Sequence, residues 1–173
     1  PELLAEETTA IPETLRWLLQ ELYEGLKEVQ QRIVSLEERL SSIAKSDENC
    51  QRLQTIPGIG ELSATALVAA VGNARNFTNG RQMAAWLGLV PRQFSTGGVS
   101  RLGKISKRGD KYLRKLFIHG ARSVTIRAKL LAPNEGDRVQ RWQRALLERL
   151  PANKVVVARA NKNARIAWAI LTS

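Results

Sequence analysis

The sequence predicts an all-α protein, a long heptad helix followed by a compact helical domain. Three observations predict it. Apolar residues recur at alternating spacings of four and three over residues 15–43, few stretches alternate with a period of two, and the rest of the chain breaks into helix-length runs separated by Gly, Pro and Asn.

The first element is the heptad helix. Leu15, Leu19, Leu22, Leu26, Val29, Ile33, Leu36, Leu40 and Ile43 form a seam held over four repeats. Pro12 and Glu13 suit its first turn. At ~1.5 Å per residue the helix is about 45 Å long. Gly25 inside it costs about 1 kcal/mol relative to Ala. So narrow a stripe calls for a partner. It is either a coiled coil, with another chain or with a helix upstream of residue 1, or a helix laid on the chain's own globular part.

A polar cluster, Ser46-Asp47-Glu48-Asn49, marks the boundary, giving a connector over 1–46 and a helical domain over 47–173. Within the domain, Gln51–Ile56 is expected to be a helix closing at Pro57. Glu61–Val71 is a second, ended by Gly72-Asn73, and Gly80–Leu87 a third, ended by Gly88. Residues 89–108 read as a loop, with Pro91, Gly97, Gly98 and Gly103 in it. Asp110–Leu131 is a long helix stopped by Pro133-Asn134, followed by helices over Asp137–Leu150 and Ala152–Leu171. On the long helix Tyr112, Leu113, Leu116, Phe117, Ile118, Val124 and Ile126 are expected to supply core.

Composition narrows the function. The 173 residues are 43% hydrophobic, enough for a core, so wholesale disorder is excluded. One Cys cannot form an internal disulfide, and one His cannot build a His/Cys zinc site. No apolar run reaches the roughly 18 residues of a membrane span, and the opening residues carry no signal-peptide pattern. The only Met is Met83, so the chain is expected to be a piece of something larger or a processed form. The net charge of +11 is unevenly spread. Residues 1–50 hold 5 basic and 11 acidic residues, and residues 51–173 hold 22 basic and 5 acidic. A basic domain of +17 points to a polyanion, nucleic acid before an acidic membrane.

Three constellations could carry chemistry. Ile56-Pro57-Gly58-Ile59-Gly60 between two helices resembles a helix-hairpin-helix turn, in which Gly58 and Gly60 would let backbone N–H groups approach a phosphate at a helix N-terminus. The bland alternative is a tight turn between packed helices. The second is the loop around Ser95-Thr96-Gly97-Gly98. Residues 92–111 hold six bases (Arg92, Arg101, Lys104, Lys107, Arg108 and Lys111) and one acid. A serine hydroxyl needs a base or a positive field to act as a nucleophile, and cations here could stabilise both the alkoxide and a pentavalent phosphoryl transition state. From residue spacing alone, a solvated basic loop that only touches phosphates is the preferred reading. The third is the helix after it, where Arg114 and Arg122 are eight apart and Lys115, Arg127 and Lys129 add charge. His119, beside Ile118 and Gly120, reads as a buried hydrogen-bonding residue rather than a base. The domain's five acids, Glu61, Asp110, Glu135, Asp137 and Glu148, show no metal-binding spacing, so a two-metal nuclease is not expected in this chain alone.

Taken in order, Ile56–Gly60, Trp86-Leu87-Gly88-Leu89-Val90-Pro91-Arg92-Gln93, Ser95–Gly98, Leu102–Arg114 and Ile118-His119-Gly120-Ala121-Arg122 resemble the C-terminal part of the insertion-sequence "one-ten/eleven-eleven" transposases, in particular the "eleven-eleven" branch, over roughly residues 50–170. The resemblance implies a DNA recombinase guided by a bridge RNA, with an N-terminal RuvC-like domain, a coiled coil and this C-terminal domain. It implies that Ser95 attacks the DNA backbone to form a phosphoserine link, with Thr96 as the neighbouring hydroxyl. By charge and position, Arg92, Arg101, Lys104, Lys107, Arg108, Lys111, Arg114 and Arg122 are candidates for phosphate contact. The resemblance implies no cofactor in this chain, with Mg²⁺ held upstream. The partners are then DNA, guide RNA and a second copy through the heptad helix, with no membrane, in a bacterial, cytoplasmic, nucleoid-associated setting. On this reading the chain alone is inactive. The alternatives are a non-enzymatic nucleic-acid-binding and dimerisation module, or an assembly element alone.

Overall fold

The computed structural model describes residues 12–96, 98–130 and 135–173. The chain divides into two compact units, residues 1–42 and 43–173.

The first unit is built on α1 (Glu13–Ser46), which carries Glu13 in its first turn and Lys45 in its last, both matched to the helix dipole. Eight of the nine seam residues are exposed, from 36% at Leu19 to 62% at Leu22, while Leu40 is half-buried. Trp17, Leu18 and Val34 widen the exposed apolar surface beyond the heptad stripe. A Cβ at Gly25 would meet nothing within 4 Å, so no packing contact explains that glycine. Residues 1–11 of the expected connector lie outside the described residues.

The second unit is predominantly helical, as the sequence predicts. α2 (Glu48–Gln54) starts where the polar cluster ends, because the Asp47 carboxylate accepts from the Cys50 N–H at 2.7 Å. It lies about three residues earlier than expected. α3 (Glu61–Val71) is followed by a 3₁₀ turn (Ala74–Asn76). α4 (Gly80–Trp86) is capped by Asn79. α5 (Lys111–Leu130) begins after Asp110, whose carboxylate accepts from the Leu113 N–H at 2.8 Å. Its expected end, Leu131 with Pro133-Asn134, lies outside the described residues. α6 (Arg138–Leu147) opens with a reciprocal capping box between Asp137 and Gln140, and α7 (Ala152–Thr172) follows Pro151.

α7 is the central element, packing against α2, α4, α5 and α6. Its inner face is small: Ala160, Ala164 and Ala167 are fully buried, which lets neighbouring helices come close. At Gly80 the approach is closest, since a Cβ there would lie 2.9 Å from the Arg165 carbonyl oxygen. Leu53, Leu67, Met83, Leu87, Leu113 and Phe117 fill the rest of the core.

Two expectations are corrected here. Residues 89–108 are not a loop throughout. β1 (Pro91–Thr96) and β2 (Val99–Ile105) form an antiparallel hairpin with Pro91↔Ile105, Gln93↔Leu102, Phe94↔Arg101, Ser95↔Ser100 and Thr96↔Val99 as partners and an irregularity at Arg92. On α5, Leu113 and Phe117 are buried and Leu116, Ile118 and Val124 half-buried, but Tyr112 (53% exposed) and Ile126 (56%) face solvent. A helix with one covered side has no room for seven core positions in so short a run.

Candidate nucleic-acid interface

The hairpin is rooted first by backbone. Its ladder continues below the strands, with the Ser106 N–H donating to the Val90 carbonyl (2.8 Å) and the Lys107 N–H to the Gly88 carbonyl (3.2 Å). Residues 86–88 and 107–109 pass so closely that a Cβ at Gly109 would overlap the Trp86 carbonyl, and one at Gly88 the Arg108 carbonyl. Lys107 adopts a left-handed φ of 53°, a strained conformation for a residue with a side chain. Arg114 completes the root: its guanidinium donates to the Leu87 carbonyl at 3.3 Å and, more weakly, to that of Asp110 at 3.5 Å. Arg114 is half-buried and braces the hairpin, while Arg122, eight residues on, is exposed. The two do not act as one pair.

Above the root every residue of β1 is exposed. Ser95 lies one residue before the end of β1, and Gly98, with φ of +78°, helps turn the chain; Gly97 lies outside the described residues. Side chains alternate across a ribbon, and directly paired residues share a face. Ser95 therefore shares its face with Gln93 and Leu102, and the Gln93 amide donates to the Ser95 hydroxyl at 3.0 Å. Phe94 and Arg101 stand on the opposite face. Arg101 thus stands across the ribbon from Ser95. Arg92 donates to the Ser106 carbonyl at 3.4 Å, and Arg92, Arg101, Lys104, Lys107, Arg108 and Lys111 are all exposed.

The hairpin leads directly into α5. Along that helix Lys111, Lys115, His119, Arg122, Ile126 and Lys129 are exposed and follow spacings of four and three, which makes one solvent-facing, mostly basic stripe. His119 is exposed, not buried, a correction that follows from its place on this stripe. The helical period alone was enough to group Lys115 and Lys129 with Arg122.

The turn between α2 and α3 uses its two glycines differently. Gly58, with φ of +93°, rests on α5: its Cβ would lie 2.7 Å from the Gly120 carbonyl oxygen, and a Cβ at Gly120 would overlap the Gly58 carbonyl. The Pro57 carbonyl is held by two donors from α7, Asn163 at 3.0 Å and Arg159 at 3.3 Å. Arg159 is 1% exposed, and its desolvation lowers the guanidinium pKa, offset in part by Asp137. Gly60 is exposed at the N-terminus of α3, with nothing near its Cβ position. Of the two, Gly60 faces outward and Gly58 inward.

No group of three or more His, Cys, Asp or Glu that could hold a metal ion occurs among the described residues. No helix among the described residues is long and apolar enough to cross a membrane.

Comparison with known proteins bears on the whole chain. The model of the Transposase IS116/IS110/IS902 family matches residues 50–135, which run from α2 past the hairpin and α5. A "Probable family 20 transposase" of Pseudomonas aeruginosa is 51% identical over 170 residues, covering 98% of this chain and 49% of that protein. The "Transposase for insertion sequence element IS1111A" of Coxiella burnetii is 44% identical over 172 residues (99% and 46%). The transposase of element IS1328 of Yersinia enterocolitica is 40% identical over 166 residues (96% and 48%). The chain spans about half the length of these relatives. The similarity to these transposases extends over nearly the whole chain, and the chain belongs to the IS116/IS110/IS902 family of transposases.

Proposed function

We propose that this chain is the C-terminal portion of a DNA transposase and delivers Ser95, on the hairpin, to a phosphodiester in a composite active site. The observation that carries this reading is the position of Ser95: an exposed hydroxyl near the tip of a basic, solvent-surrounded ribbon with a backbone-locked root. In the reaction the Ser95 Oγ–P bond forms as the P–O bond to one sugar oxygen breaks. The serine proton passes to a base, and the departing sugar oxygen takes up a proton. Reversal with another strand end rejoins DNA without an external energy source, because the phosphoserine link preserves the ester.

Among the described residues, the Ser95 hydroxyl receives the Gln93 amide, a neutral donor to its oxygen. An amide donor cannot deprotonate the hydroxyl. The base and the acidic metal ligands are accordingly assigned to a domain outside this chain, where the resemblance also puts Mg²⁺. The exposed hairpin cations and the α5 stripe bind DNA and guide RNA through phosphates, which fixes register and reads no sequence. The α1 seam joins copies of the protein. The chain alone binds nucleic acid and does not recombine it.

The test is a covalent trap in the full-length protein with guide RNA, Mg²⁺ and labelled target DNA, denatured and examined for protein-linked DNA. An adduct lost in Ser95→Ala and kept in Thr96→Ala is expected. An adduct that survives Ser95→Ala moves the nucleophile to Thr96 or Ser100, and no adduct in the wild type returns the chain to a binding and assembly role.

A further inference from the structure

An open groove of about 1270 Å³ runs along α7, away from the hairpin tip, reaching α4, Trp142 of α6 and the foot of the hairpin at Pro91 and Ile105. Its lining among the described residues includes four cations, Arg81, Lys154, Lys162 and Arg165, and no Asp or Glu side chain. Two tryptophans, Trp142 and Trp168, also line it.

The Gly80–Arg165 backbone contact draws α4 onto α7, so that Arg81 and Arg165 line the same groove. Lys154 and Arg165 are eleven residues apart on α7, so their backbones are about 17 Å apart along the axis. Lys162 lies between them, its ammonium 4.5 Å from the centre of the Trp142 ring, which holds a mobile side chain in place. Trp168 is fixed by its indole N–H, which donates to the Phe77 carbonyl at 3.1 Å. Arg81, Lys154 and Arg165 are exposed, and among the described residues no carboxylate engages them.

We infer that the α7 groove is a second nucleic-acid site, built for a single-stranded segment rather than a duplex. A groove lined by both cations and tryptophans matches a strand whose phosphates and base faces are both available, whereas a duplex hides its base faces. The features engaged are common to single-stranded DNA and RNA. The site shares with the proposed function only the class of partner, since it contains neither Ser95 nor any exposed cation of the ribbon. It continues to the ribbon's foot, so a strand leaving the hairpin region has a basic track to follow.

The experiment uses this chain and three fluorescein-labelled probes, oligothymidylate and oligouridylate of about twelve residues and a blunt duplex, each titrated across a range of KCl. Lys162→Glu with Arg165→Glu is expected to weaken both single-stranded probes roughly tenfold and to flatten their salt dependence by about 0.7 in log–log slope per cation removed. The duplex should be little affected. Lys154→Ala with Arg165→Ala removes charge without touching the Trp142 contact and should flatten the slope equally. Arg101→Glu with Lys104→Glu should do the reverse, weakening the duplex and sparing the single strands. Ultraviolet crosslinking should mark the peptides bearing Trp142 and Trp168. An unchanged single-strand slope in the α7 variants overturns the inference, as does an equal loss of duplex binding or displacement of the oligonucleotides by polyglutamate at matched charge. A hairpin variant without effect on the duplex would instead count against the ribbon as a DNA contact and leave the groove standing.

Discussion

The turn at residues 55–60 and the hairpin at residues 91–105 look alike in sequence and are opposites in the structure. Each is short, glycine-bearing and set in a strongly basic region. The turn is buried on one side, with Gly58 against Gly120 and the Pro57 carbonyl clamped by Asn163 and Arg159. Among its described residues, the hairpin is bonded to the domain at its root, and β1 is exposed along its whole length. A glycine gives a backbone freedom and close approach, but the approach can be to a ligand or to another part of the same chain. What separates the two cases is a partner some sixty residues away, Gly120, which no local pattern contains.

The comparison makes graded demands. The largest effect is expected from Gly120→Ala, whose new methyl would overlap the Gly58 carbonyl; a loss of about 4 kcal/mol in denaturant unfolding is expected, and a cost below about 1 kcal/mol would mean the turn is not seated as described. Asn163→Ala removes one of the two donors to the Pro57 carbonyl and should cost about 2 kcal/mol by the same measurement.

The turn's neighbourhood also carries a pH signature. Cys50 is 1% exposed, and burial, followed by the Asp47 carboxylate, pushes its thiol from 9.0 to about 11. The unfolded thiol then loses its proton before the folded one does. This contribution is complete below pH 9.0 and is lost as pH rises toward about 11. Cys50→Ala should remove that slope from a plot of stability against pH, and a slope that persists assigns it to other groups.

On the hairpin, Gly98→Ala forces a side chain into a φ of +78° with open space around it. A local cost of about 1 kcal/mol is expected, seen as faster amide exchange in residues 91–105 with the global midpoint unmoved. A shifted midpoint would show that the ribbon is tied into the core's cooperative unit. The smallest effect is Gly60→Ala, about 0.5 kcal/mol in stability. If the outward face of the turn touches phosphate, this variant should still weaken duplex binding, and unchanged binding would leave the turn a purely structural device.

The helices were legible because their signals are local. Asp47, Asn79, Asp137 and Gln140 stand at the caps their side chains suit, and the helical periods fix the rest within a few residues. The hairpin was hidden by its own composition. Arg, Lys, Ser and Gly along both strands mask the alternation of a ribbon with no buried face, although Gly97-Gly98 between two such runs is itself a hairpin signal. The basic residues of the candidate interface were legible as charge but not as direction. Arg114 turns inward to the Leu87 carbonyl, and Arg101 stands across the ribbon from Ser95. Both placements depend on register, which is set by the strand pairing and the root rather than by spacing along the chain.

The contact between Gly58 and Gly120 also shapes what mutation can repair. Each glycine is excluded from change by the other's backbone, not by the other's side chain. Neither position can therefore compensate a substitution at its partner, because there is no atom left to remove. A genetic suppressor of Gly120→Ala would have to lie elsewhere, in residues such as Val124 or Asn163 that set how far the turn stands from α5 and α7. A screen for revertants would in that way trace the support of the turn without a structure.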